Sequence, residues 1–250
     1  MDDSQRRRLL ANATSSGAGT MVAELVMSPL CAVKTMLQNS QEKNSTAIKV
    51  ATRMYAIGGV RPFFAASAVA MSTQYLSSVG KYVLYRELEL ALAQRPFFVR
   101  YPDGVKPASG IMSGILVSLL THPLDWKRVQ LQVGASSASA IAAPAQFQAG
   151  VYSGYRWSLL KTSIGSALFF PLFDKGREFG LPSPLAGVLS ACVSSLASQP
   201  ADYCKTRALY GNFSSHGWNI AAYYRGLTVN LARVVPHFTI AMTVTEHLRS

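Results

Sequence analysis

The sequence is poor in charge and poorer still in acid. Only 14% of its 250 residues are charged, against about a quarter in an ordinary soluble domain. That disfavours a disordered tail or a polar binding module. Twelve Asp+Glu face 24 Lys+Arg, a formal net charge of +12, which suits anionic partners: nucleic acid, acidic lipid head groups or small anionic solutes. Cysteine is scarce too. Cys31, Cys192 and Cys204 form no C-x-x-C pair and are odd in number, so no disulfide framework is implied and they read as small buried side chains. His122, His216, His237 and His247 lack H-E-x-x-H or other tight ligand spacing, and neither G-x-G-x-x-G nor G-x-x-x-x-G-K-[ST] occurs. No metal site, cofactor or enzyme is expected. Nucleic-acid binding is disfavoured because the bases are scattered among apolar stretches instead of lining one face.

The apolar residues, 49% of the chain, gather into six stretches near the length of about 20 that crosses a bilayer. These are residues 9–30, 62–85, 108–124, 157–173, 183–201 and 226–245. None is purely apolar. Glu24, Lys81, Lys161 and Arg233 lie inside them, and an ionised side chain there is costly unless it faces protein or a water-filled cavity. The expectation is a helical bundle around an aqueous cavity. A soluble all-helical domain gives the same periodicity, and the mean hydropathy of +0.18 is modest. Residues 1–10 combine Asp2 and Asp3 with Arg6, Arg7 and Arg8, unlike a signal or transit peptide, so no cleaved presequence is expected. The arginines form either a solvated flank or a contact with anionic head groups.

Internal repeats are more decisive. The runs Pro29-Leu-Cys31-Ala-Val-Lys34, Pro123-Leu-Asp125-Trp-Lys-Arg128 and Pro200-Ala-Asp202-Tyr-Cys-Lys205 each close an odd-numbered stretch. Proline removes a backbone donor and favours a kink. The acid at +2 and base at +5 then point obliquely toward neighbouring helices. A second element, Phe64-Ala-Ala66, Tyr152-Ser-Gly154 and Tyr224-Arg-Gly226, opens each even-numbered stretch. Twenty positions beyond its third residue stand Arg86, Asp174 and Glu246, and twenty-three beyond stand Glu89, Arg177 and Arg249. Two patterns repeated three times in fixed order imply three repeats, 1–99, 100–178 and 179–250, in one membrane domain.

This arrangement resembles the mitochondrial carrier family over essentially the whole chain, through the tripled P-x-[DE]-x-x-[KR]-x-[KR] motif and the closing run from Tyr224 to Pro236 and from Thr245 to Arg249. The resemblance implies an all-α membrane protein of the mitochondrial inner membrane, with six transmembrane helices in three pseudo-symmetric repeats. Both termini would face the intermembrane space, and access would alternate between two salt-bridge networks. On the matrix side it pairs Asp125 with Lys205 and Asp202 with Lys34, while Cys31 leaves Arg128 without its carboxylate, to be solvated by water or lipid phosphate. Gln38 and Gln132 match the position that braces these pairs, and Leu209 cannot do so. At the opposite, cytoplasmic gate Arg177 would meet Glu246, whereas Glu89 would face Asp174 and Arg86 would face Arg249, two like-charge contacts that disfavour closure.

From proline to aromatic residue the three repeats span 35, 29 and 24 positions, shorter than the family's matrix segments. A matrix helix is expected at 46–55, a flexible loop at 133–150 and little helix at 210–218, so the family's cardiolipin sites, its one expected bound lipid, are weakened. By the same resemblance Thr73, Lys161, Thr162 and Arg233 contact substrate, with Glu24 facing the cavity. Two cations in a low-dielectric cavity favour an anion, and the basic residue followed by Thr resembles carriers of oxo acids and related carboxylates. Lys161 or Arg233 pairing simply with Glu24 is the competing reading. Two functions stay open: a carrier exchanging a small anionic metabolite, and a transport-inactive subunit packed on an inner-membrane assembly such as a respiratory complex.

Overall fold

The computed structural model describes residues 3–40, 45–135, 150–210 and 220–248. Most of the expected loop at 133–150 and of the segment 210–218 lies outside them, as does Arg249. Six long helices dominate: α1 (Asp3–Asn39), α4 (Ser67–Ala93), α6 (Val105–Ala135), α7 (Tyr155–Glu178), α8 (Ser183–Tyr210) and α10 (Leu227–His247). Short ones join them: α2 (Ala47–Gly58), α3 (Arg61–Phe64), α5 (Pro96–Arg100), a 3-10 turn at Pro102–Gly104 and α9 (Ile220–Tyr223). There is no strand among the described residues.

Chain neighbours are spatial neighbours. Each long helix packs on the next, and α10 returns to pack on α1, so the six close a ring. A glycine stands at every seam. A Cβ at Gly17 would lie 2.7 Å from Tyr75, at Gly80 3.0 Å from Val117, at Gly114 2.5 Å from Thr162, at Gly176 3.1 Å from Ala186 and at Gly187 2.5 Å from Phe238, while Gly19 abuts Thr245 and Ala241 on α10. Small residues let membrane helices approach closely where no hydrophobic effect drives them together.

The ring is apolar outside and polar within. Leu185, Leu189, Val193 and Leu196 of α8, spaced three and four apart, are each more than two-fifths exposed, whereas Ser190, Ser194, Gln199 and Asp202 of the same helix are buried. That is the distribution expected in lipid around a polar interior. Three spans, Ser4–Asn39, Pro102–Ala135 and Ile220–Thr245, are individually long and apolar enough to cross a bilayer. Ala47–Gly58 with Arg61–Ala93, bent by 107°, makes a fourth if taken as one. Composition alone therefore supports three or four of the six expected spans. The inward polar faces of α7 and α8 hold down their hydropathy.

Local signals set the junctions. Thr46 caps α2, its hydroxyl accepting from Lys49 N, and Gly59, at φ 61°, ends it just before Pro62 starts α3. Met54 of α2 packs on Ala32 and Val33 of α1, which holds this helix across the bundle at the place where 46–55 was expected to be helical. Gly154 combines φ 76° with a Cβ direction that runs 2.6 Å from Ala208, so the aromatic-x-small element needs glycine there both conformationally and sterically.

Candidate functional site

The repeated prolines bring their charges to one level of the ring. Helices α1, α6 and α8 run on through Pro29, Pro123 and Pro200. Lys34 Nζ stands 2.5 Å from Asp202 Oδ2 and Lys205 Nζ 2.5 Å from Asp125 Oδ2, the two acid-to-base pairings that the repeat pattern implies. Gln38 Nε2 donates to Asp202 Oδ2 at 3.3 Å, and Gln132 is buried at the same level. Leu209 packs with Val129 and Val133 instead, so apolar contact replaces the brace in the third repeat.

The third pair corrects the reading of Arg128 as a base lacking a carboxylate. Its Nη2 bonds Glu24 Oε1, an acid two helical turns before Cys31 on α1. Glu24 is fully buried and holds more than one partner. Arg233 Nη1 reaches its Oε2 at 3.4 Å, Gln74 Nε2 donates to Oε2 at 3.2 Å, and the Cys31 thiol donates to Oε1 at 3.4 Å. His237 Nε2 lies 3.5 Å away. A fixed-offset pattern misses this acid. The usable signal was that Glu24 lies seven residues from the vacant acid position, on nearly the same helix face.

Lys161 does not meet Glu24. Its Nζ lies 2.5 Å from Asp202 Oδ1, so Asp202 serves Lys34 and Lys161 together, as Glu24 serves Arg128 and Arg233. Arg233 keeps its Nε without a hydrogen bond among the described residues. Thr73 is buried and its hydroxyl donates to Val69 O at 2.7 Å, while Thr162 packs against Gly114. Thr73, Lys161, Thr162 and Arg233 all line one cavity of about 220 Å³, and its floor is the ion-pair level just described.

At the other end Glu89 and Asp174, expected to face each other, are each paired with a base instead, and the expected contact of Arg86 with Arg249 lies outside the described residues. Arg86 Nη1 pairs with Glu89 Oε2 at 2.7 Å within α4. Asp174 is taken by Lys106, 2.9 Å away on α6, a base the sequence reading did not single out. Arg177 Nη1 donates to Leu181 O at 3.1 Å. Glu246 contributes no described side chain, and Arg249 is outside the described residues. Among the described residues, the ion pair between helices at this end joins only the neighbours α6 and α7, whereas at the floor Lys34–Asp202, Lys205–Asp125 and Arg128–Glu24 tie α1, α6 and α8 to one another across the ring.

A closed ring of helices around a polar cavity, sealed at one end by ion pairs, defines a solute carrier of the membrane. Residues 5–95 match the profile described as "Mitochondrial carrier protein". A mitochondrial carrier-like protein of Acanthamoeba polyphaga mimivirus is 36% identical over 236 residues, 94% of each chain. More distant similarity extends to a mitochondrial thiamine pyrophosphate carrier of Eremothecium gossypii, 24% identical over 90% of this chain and 83% of that one. A mitochondrial S-adenosylmethionine carrier protein of Xenopus laevis is 21% identical over 84% and 80% respectively. The chain belongs to the mitochondrial carrier family, whose members are multi-pass inner-membrane transporters and not enzymes.

Proposed function

We propose that this protein moves a small anionic metabolite, recognised through a carboxylate, across the inner membrane by alternating access and in exchange for another anion. The observation that carries the reading is the charge of the cavity. Six bases line it, Lys34, Lys81, Arg128, Lys161, Lys205 and Arg233, against the three carboxylates Glu24, Asp125 and Asp202. Fixed cations in a desolvated site favour an anion both in binding and in approach. Lys161 and Arg233 are the substrate contacts, with Thr73 and Thr162 beside them. Glu24, Asp125 and Asp202 with Arg128, Lys205 and Lys34 form the matrix gate, braced by Gln38 and Gln132, and this state is closed to the matrix. Arg86, Glu89, Asp174 and Arg177, with Glu246 and Arg249, make the opposite gate once their present local pairs exchange partners.

Uptake of radiolabelled carboxylates into proteoliposomes tests the reading. Counter-exchange is expected for at least one carboxylate, abolished by Lys161→Ala with Arg233→Ala. No uptake of any carboxylate, or uptake untouched by the double substitution, overturns it. Co-migration with a respiratory complex on native gels, together with absent uptake, favours the accessory-subunit reading instead.

A further inference from the structure

Lys81 stands apart from the other bases of the cavity. Lys34, Arg128, Lys161, Lys205 and Arg233 each hold a carboxylate. Lys81 lines the same cavity, is exposed within it, and has no hydrogen bond or ion pair among the described residues. It sits eight residues beyond Thr73 on α4, about 12 Å of helical rise from the floor side toward the open end. The charges acting on it from the facing helices are Lys161, Asp125 and Lys205, two cations to one anion.

We infer that Lys81 is a second anion-binding point of the transport cavity, and that the substrate carries two separated anionic groups, one for Lys81 and one for the Lys161 and Arg233 level. The inference rests on the carrier reading above and deepens it. An incoming anion meets Lys81 without displacing a bond to any described residue. To engage Lys161 or Arg233 it must compete with Asp202 or Glu24. A solute with a second carboxylate does both at once, since the flexible four-carbon stem of each lysine lets both ammonium groups turn to one small molecule. The cavity also carries three formal positive charges beyond its carboxylates, which a dianion neutralises better than a monoanion.

The test compares chain-length-matched probes, succinate with butyrate and 2-oxoglutarate with 2-oxopentanoate, by ligand-dependent thermal stabilisation of the purified full chain in detergent and by competition for proteoliposome uptake. Wild type is expected to prefer the dicarboxylate. Lys81→Gln is expected to weaken the dicarboxylate about tenfold and to bring it within about twofold of the monocarboxylate, since both then have only the Lys161 and Arg233 level, and Lys81→Arg to restore the preference. Because Lys81 is exposed and bonds nothing among the described residues, its variants are expected to keep the melting temperature without ligand. Equal affinity of wild type for both members of each pair, or a preference unchanged in Lys81→Gln, overturns the Lys81 inference and leaves the carrier reading standing. Failure of every probe with wild type overturns both.

Discussion

Glu24 of the first repeat and Arg128 of the second form the third ion pair of the cavity floor, with the acid displaced by two helical turns from the position that the other repeats use. The Cys31 thiol, at the vacated position, lies 3.4 Å from the same carboxylate oxygen that Arg128 holds. Position 31 is therefore within reach of the guanidinium although it carries no acid.

Glu24→Gln should destabilise this state strongly, because Arg128 and Arg233 both lose their carboxylate in a buried setting. Removing one partner of a buried pair costs about 3–5 kcal/mol, roughly 10 °C in melting temperature for a chain of this size. Adding Cys31→Asp to Glu24→Gln should recover much of that loss. Thermal unfolding in detergent measures both, and a double variant no more stable than the single one would refute the relocated pair.

Asp202 and Asp125 should differ in the same assay. Asp202→Asn takes the carboxylate from two ammonium groups, Lys161 and Lys34, the latter keeping its bond to Asn230 Oδ1, and weakens the Gln38 contact, whereas Asp125→Asn takes it from Lys205 alone. The expected ordering is a drop for Asp202→Asn larger by about 1–2 kcal/mol. Equal drops would mean that Lys161 is not held by Asp202.

Close helix approach is testable at Gly114. Its added Cβ would meet Thr162 at 2.5 Å, while the space around Gly134 on the same helix is open. Gly114→Ala should cost about 1–3 kcal/mol through overpacking, and Gly134→Ala should be neutral or stabilising by less than about 1 kcal/mol. The two melting temperatures, compared side by side, check the seam.

At the open end, Arg86→Ala should hardly matter to stability. The pair with Glu89 is local, and the Arg86 side chain is 53% exposed, so the expected change is under about 0.5 kcal/mol. If Arg86→Ala unfolds the protein as readily as Glu24→Gln does, this end is latched in the present state and the assignment of the open end is wrong.

The order of helices was legible because the proline runs and aromatic-x-small elements recur at constant offsets, and constant offsets are what three similar helical hairpins impose. The pairs Lys34 with Asp202 and Lys205 with Asp125 followed from the same regularity. What broke the regularity was harder to see. Glu24 replaces the missing acid from elsewhere on α1. Lys106 takes Asp174 from just outside an apolar stretch. Lys161 turns to Asp202 instead of Glu24. Each is a choice among partners made by side-chain packing, which a one-dimensional spacing cannot rank. Lys81 was visible as a charge in an apolar stretch, but only the ring around it shows that the other cavity bases are occupied.

The return of α10 onto α1 has a further consequence for the chain ends. Thr245 donates to Ser15 O at 3.5 Å, so the last helix finishes beside the early turns of the first, and both ends leave the ring on one side. Sequence order and spatial order then coincide around the whole circle. A chain rejoined at these ends and reopened at a connection on the opposite side would trace the same circle from a different starting helix, so circular permutation is compatible with every seam of the structure.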